Sequence, residues 1–364
     1  MEEKNMKKKF AFLLTLVLVM GLLAGCAGTP VVYYSDCTCP EGSHAIVPSE
    51  PAATQGEIAE GAVKTGLYIG ADLSESVSAD GENAGQAKYD VTIVAVTIDD
   101  EGVIDSCVID AIPAAVAFGA DGVITSDLTA DVLTKNELGE NYGMKAYGGA
   151  KYEWNEQVAA LAAYAEGKTV EELKNGAINE AGKAADADLA STATIYLGGY
   201  VSAIEAAAAN AQHLGAMAGD ELKLASISGL SDSTSADAEN AGTAQLNCDV
   251  TALTMNGDTI TSCYIDSLQA KVTFDAAGTI TSDLSMPLTK NQLGENYGMK
   301  LYAGSAYEWN EQAAAFAAYV TGKTAEEVAG IAVNEGTKPT DADLASTVTI
   351  AIGGFQALIA KAAQ

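Results

Sequence analysis

Two short segments carry the side chains of this 364-residue chain best suited to chemistry, and each occurs twice. The first reads Asp186-Ala-Asp-Leu-Ala-Ser-Thr-Ala-Thr-Ile195 and recurs as Asp341-Ala-Asp-Leu-Ala-Ser-Thr-Val-Thr-Ile350. It offers carboxylates at Asp188 and Asp343 and hydroxyls at Ser191, Thr194, Ser346 and Thr349, with Gly198-Gly199 and Gly353-Gly354 following. Such a run can present a hydroxyl to a ligand, or spend its polar groups capping a helix. The Asp186-x-Asp188 and Asp341-x-Asp343 spacing also suggests calcium, without the glycine and distal glutamate of an EF-hand loop. The second segment is the loop Leu138–Lys145, LGENYGMK, identical at Leu293–Lys300. Its ring (Tyr142, Tyr297), thioether (Met144, Met299), amide and cation would suit a flat apolar ligand bearing a phosphate. Alternatively it is a structural cap over a sheet, with Tyr142 and Met144 buried and the glycines making the turn.

Acid–base and nucleophilic machinery is scarce. The only histidines, His44 and His213, have no counterpart in the other copy of the repeat. There is no Ser-His-Asp set, HExxH, P-loop or dinucleotide glycine fingerprint. An electron carrier or binding protein is expected rather than a hydrolase or transferase. Cys37 and Cys39 form a CxC near His44, short of the four ligands of a closed zinc site. Cys107 and Cys263 occupy matching places in the repeats and read as buried apolar residues. Cys248 lies on the strand next to Cys263 and could bridge to it.

The acceptor-like segment resembles the flavinylation motif of the FMN-binding domain family, Asp-x-x-Ser-x-Ala-Thr ahead of a final helix. In that family a transferase joins FMN to the last threonine through a phosphoester. The resemblance implies Thr194 and Thr349 as acceptors, Asp188 and Asp343 as the motif aspartate, and Ser191 and Ser346 as its serine. It further implies a flavin transferase and redox partners, since members include respiratory subunits and tandem-domain lipoproteins of extracellular electron transfer. Thr192 and Thr347 stand where the family has glycine, and Val348 where it has alanine.

The elements that must position these residues are legible twice. Lys135–Trp154 and Lys290–Trp309 share fifteen of twenty positions, and Glu82-Asn-Ala-Gly85 recurs as Glu239-Asn-Ala-Gly242. Two duplicated domains are expected, at residues 62–212 and 220–364. In each, Val/Ile/Thr-rich runs flank a turn, Val91–Ile98 with Val103–Ile112 and Val250–Met255 with Thr259–Ile265, the latter around Asn256-Gly257. Val116–Phe118 with Val123–Thr125, and Val272–Phe274 with Thr279–Thr281, suggest further strands, giving a meander of about four. Helices follow: one from near Tyr152, with Trp154, Val158, Leu161 and Ala165 on one face, matched by Trp309, Ala313, Phe316 and Val320. Capping boxes at Thr169-Val-Glu-Glu172 and Thr324-Ala-Glu-Glu327 open a second helix. Alanine-rich runs Tyr200–Gln212 and Phe355–Ala363 form the last. The fold class is α+β: two tandem copies of a small antiparallel sheet followed by two or three helices.

Nineteen basic residues against 49 acidic ones give a formal charge of -30, which excludes nucleic acid as a partner. The chain opens with Lys7-Lys8-Lys9, an apolar run Phe10–Leu22, and Leu23-Ala-Gly-Cys26, which resembles a bacterial lipobox. That implies a signal peptide at 1–25, lipidation at Cys26, a flexible stalk at 26–61 and a membrane-anchored, extracytoplasmic protein. A flavin-carrying electron-transfer lipoprotein is the leading expectation. A non-redox surface binding module or a structural coat lipoprotein is the alternative.

Overall fold

The computed structural model describes residues 59–364, so the expected signal, Cys26, the stalk cysteines and His44 lie outside the described residues. Each repeat contributes a three-stranded antiparallel sheet followed by helices, an α+β arrangement seen twice. The first sheet comprises β1 (Lys64–Asp72), β2 (Gly85–Ile98) and β3 (Ile104–Phe118). Helices α1 (Lys135–Leu138), α2 (Met144–Gly148), α3 (Trp154–Ala165), α4 (Val170–Gly176), α5 (Ala187–Thr192) and α6 (Gly198–Ala209) follow. The second repeat has β4 (Glu221–Gly229), β5 (Gly242–Asn256) and β6 (Thr259–Phe274). Its helices are α7 (Lys290–Leu293), α8 (Met299–Ala303), α9 (Trp309–Val320), α10 (Ala325–Ala329), α11 (Ala342–Thr347) and α12 (Gly353–Ala362).

The expected four-strand meander is corrected to three strands. Val116–Phe118 continues β3, and Val123–Thr125 contributes only a single bridge, Phe118 to Ile124. The remaining strand comes from the other end: β1 pairs along its length with β2, and β4 with β5. The hairpins, the helix from Trp154, the capping-box helix and the alanine-rich final helix form where expected.

Alternation along the strands decides the layering. Leu67, Ile69, Tyr89, Val91 and Ile93 face the second sheet, where Leu222, Leu246, Val250 and Leu268 meet them in one core. The opposite face of sheet one, with Val94, Val96, Ile98 and Ile109, packs under α3 and α6. The second sheet repeats this with Leu253, Met255 and Ile265 under α9 and α12. Residues 59–364 therefore stack as helices, sheet, sheet, helices. Both faces of β2 are covered at its end, so every residue of Ile93–Ile98 is buried and all but Thr97 are apolar.

The two halves meet in near-twofold fashion. Phe118 and Phe274 stack with centroids 4.0 Å apart and planes 1° from parallel. Ala79 N–H donates to Gly278 O, and Ala236 N–H to Gly122 O, each at 2.8 Å. Ser235 and Ser78 hydroxyls accept in turn from the Ile124 and Ile280 amides, each at 2.9 Å. Such exchange is the signature of an isologous interface, here within one chain.

Cys107, Cys248 and Cys263 are free and buried, so the Cys248–Cys263 bridge does not form. Cys248 pairs with Leu268 and faces the inter-sheet core, whereas Cys263 pairs with Leu253 and faces the helices. Opposite faces of a sheet cannot be joined across one disulfide. Among the described residues no helix is long and apolar enough to cross a membrane, and no group of three potential metal ligands forms.

Candidate functional site

The shared loop is held by two buried carboxylates. Asp110 on β3 accepts from the Ala111 amide at 2.7 Å and the Asn136 amide at 3.0 Å, pinning the start of α1 to the sheet. Asp266 does the same for Ser267 and Asn291. Burial raises both carboxyls above the ordinary range, Asp266 to about 6. Further along, Glu153 accepts from the Met144 amide at 2.8 Å and the Lys145 amide at 3.0 Å, satisfying the open end of α2. Its own amide donates to Glu156, which closes a capping box on α3. Glu308 repeats every bond. Gly143, at φ 83°, lies where an added Cβ would strike the Tyr147 ring. Much of the identity between the copies of this loop thus serves to fold it.

What that scaffold presents is a cleft of about 560 Å³ on the helix side of sheet one, within the range of small-molecule sites. Five aromatic rings border it: Tyr68 from β1, Tyr142 from the loop, Trp154 at the start of α3, Tyr196 ahead of α6 and Tyr200 in its first turn. Met144 adds a thioether, and a second, Met286, arrives from the other repeat, its sulfur 3.9 Å from the Tyr68 hydroxyl. Lys135 Nζ lies 5.0 Å from the Tyr142 ring centroid and 5.2 Å from that of Trp154, a cation–π pair. Trp154 Nε1–H donates to the Tyr200 hydroxyl at 3.0 Å. Asp72 and Asp90, partners in the β1–β2 register, also line it. The wall is soft, flat and polarizable, with one cation and two carboxylates among its lining.

The acceptor-like segment runs beside this cleft. Ala193 is buried, Thr194 is exposed, and Ile195 lines the cleft. The fully buried Gln157 holds the segment: its Oε1 accepts from Thr194 N–H at 2.8 Å, Thr194 Oγ1–H at 3.1 Å and Ile195 N–H at 3.1 Å. Its Nε2 donates to Tyr152 O at 3.0 Å and lies 3.9 Å from Met144 Sδ. One side chain therefore links both sequence-singled segments. Gln312 makes the same contacts to Thr349, Ile350, Tyr307 and Met299. The signal in the sequence that marks Gln157 is Trp-Asn-Glu-Gln, which recurs unchanged in both copies.

The other motif residues have more local duties. Asp186 caps α5 through the Asp188 and Leu189 amides, and Asp341 caps α11 through Leu344. Asp188 and Asp343 are exposed in the first turns of α5 and α11, and Ser191 and Ser346 donate to their backbone carbonyls at 2.7 Å. Thr192 and Thr347 end their helices without a positive φ, so a branched side chain carries no backbone strain there. Tyr297 and Met299 take their places in the second repeat, with Lys290 over the Tyr297 and Trp309 rings at 5.3 and 4.8 Å.

No family model, curated protein or solved structure matches the chain. The functional reading therefore rests on these residues and their geometry.

Proposed function

We propose that the chain is a lipid-anchored, extracytoplasmic flavin carrier, tethered through Cys26 and bearing FMN as a phosphoester on the Thr194 hydroxyl, with Thr349 as the corresponding acceptor. The observation that carries this reading is an exposed threonine, its hydroxyl bonded to Gln157, one residue from the aromatic and thioether wall of a cleft of about 560 Å³. A ring seated there would contact Tyr142, Tyr196 and the two methionines. Lys135 would offset part of the phosphate charge, and Gln157 would hold the acceptor strand in place. The flavin would supply one- or two-electron chemistry, and the protein its position and surroundings. The acidic surface would favour cationic or metal acceptors outside the cell.

The test is production together with a flavin transferase, followed by denaturing electrophoresis. A band that keeps flavin fluorescence, and loses it when Thr194 and Thr349 are both changed to alanine, supports the reading. A colourless band contradicts it.

Asp72 and Asp90 favour one second reading, a non-redox module for a hydroxyl-rich cell-wall component. Carboxylates accept from sugar hydroxyls and repel a phosphate, and aromatic rings serve sugar faces as well as flavins. Saturable binding of a neutral cell-wall saccharide that fails with Asp72→Ala would favour it.

A further inference from the structure

The repeats differ by two paired exchanges, each of which sets a ring beside a glycine in the first copy against an alanine beside a larger residue in the second. On the first strand, Tyr68 and Gly70 correspond to Ala225 and Ile227. A Cβ on Gly70 would collide with the Tyr68 hydroxyl, so the glycine exists to let that ring lie along the strand. The second repeat has no ring there and accommodates isoleucine. Ahead of the last helix, Gly182 and Tyr196 correspond to Thr337 and Ala351, in turns with the same hydrogen bonds: Leu197 N–H to Gly182 O, and Ile352 N–H to Thr337 O. A Cβ on Gly182 would strike the Tyr196 ring. Thr337 adopts φ 54°, the lone non-glycine residue at positive φ among the described residues, where the smaller Ala351 leaves it room.

The surrounding differences point the same way. Ala203 on the cleft side of α6 is replaced by the fully buried Leu358 on α12. Tyr200 is replaced by Phe355, which keeps the edge contact with its tryptophan at 5.9 Å, lacks the hydroxyl and adds a contact with the Phe316 ring at 5.4 Å. The Thr92 position carries Asp249, whose carboxylate approaches Gly354 at the start of α12. Cover is unequal as well: Met286 overhangs the first cleft, whereas the matching loop of the first repeat carries Ala130 and Asp131, with no thioether.

We infer that the duplicated fold holds one ligand site, not two: the first repeat's cleft, completed by Met286 of the second repeat, takes a flat heteroaromatic ring, and Tyr68 and Tyr196 determine that specificity. The second repeat is a supporting copy whose cleft is filled by its own side chains, Leu358 and Phe355, which narrows the proposed attachment to Thr194 and leaves Thr349 unmodified. From the proposed function this takes only the choice of a flavin as the flat ring.

The experiment is titration of the intact protein with riboflavin, which lacks the phosphate, followed by fluorescence quenching. One riboflavin per chain is expected at saturation. Tyr196→Ala, which installs the second repeat's residue, should weaken binding at least tenfold, and the exposed Met286→Ala should weaken it several-fold while leaving thermal melting unchanged. Saturation at two per chain, absence of saturable binding, or indifference to both substitutions overturns the inference. A chain that binds one riboflavin yet acquires no covalent flavin keeps this inference and loses the proposed function. A chain flavinylated equally on both threonines does the reverse.

Discussion

Gln157 concentrates the chemistry of the site in one amide. Its single oxygen satisfies three donors of the acceptor strand, two of them backbone amides. Gln157→Leu keeps the volume and removes the acceptor, leaving those amides unpaired at a cost of about 2–4 kcal/mol. Chemical denaturation should show that loss, and exchange of the Thr194 and Ile195 amides should accelerate. Asp266 gives a pH signature. Burial raises its carboxyl from the usual 3.8 to about 6, so between those values the folded state binds the proton more tightly than the unfolded chain. Stability from this group is therefore present below about pH 4 and lost as pH rises to about 6, by roughly 3 kcal/mol. The difference in unfolding free energy between wild type and Asp266→Asn should follow that trend; a flat difference contradicts it. Residue types at Thr194, Tyr142 and Met144 were legible in the sequence because the copies repeat them. Tyr68, Tyr196 and Met286 were not, because the repeat comparison singles out what the copies share, and these are where they differ.

Among the elements, the loop around α2 is the one most dependent on a single side chain. A five-residue helix cannot sustain itself, and its first two amides end on the Glu153 carboxylate. Glu153→Ala should cost about 2–3 kcal/mol and loosen residues 144–148 selectively. Hydrogen exchange should then rise there while the amides of β2 stay protected. The hairpins and helices were readable from period and capping chemistry. The first strand of each sheet was not: Lys64–Asp72 contains two glycines and ends in aspartate, which mask its alternation. The turn segments Val123–Thr125 and Thr279–Thr281 looked like strands, but each makes one bridge and then serves the other repeat.

For the whole molecule, duplication was plain in the sequence while the way the copies combine was not. Each sheet buries one face against the other, so neither repeat closes its core alone. Unfolding should be a single calorimetric transition. Phe274→Ala removes half of the central stack and should lower stability by about 3–5 kcal/mol, with probes in both repeats shifting together. Two separated transitions would contradict the shared core. The same arrangement lets Met286 of one repeat cover the cleft of the other, which joins fold and proposed function.

The proposed flavin carrier depends on the state of one hydroxyl. Peptide mapping by mass spectrometry of protein produced with a flavin transferase should find flavin phosphate esterified to Thr194. Recovery of that peptide wholly unmodified, from cells in which the transferase loads a control acceptor, would contradict it.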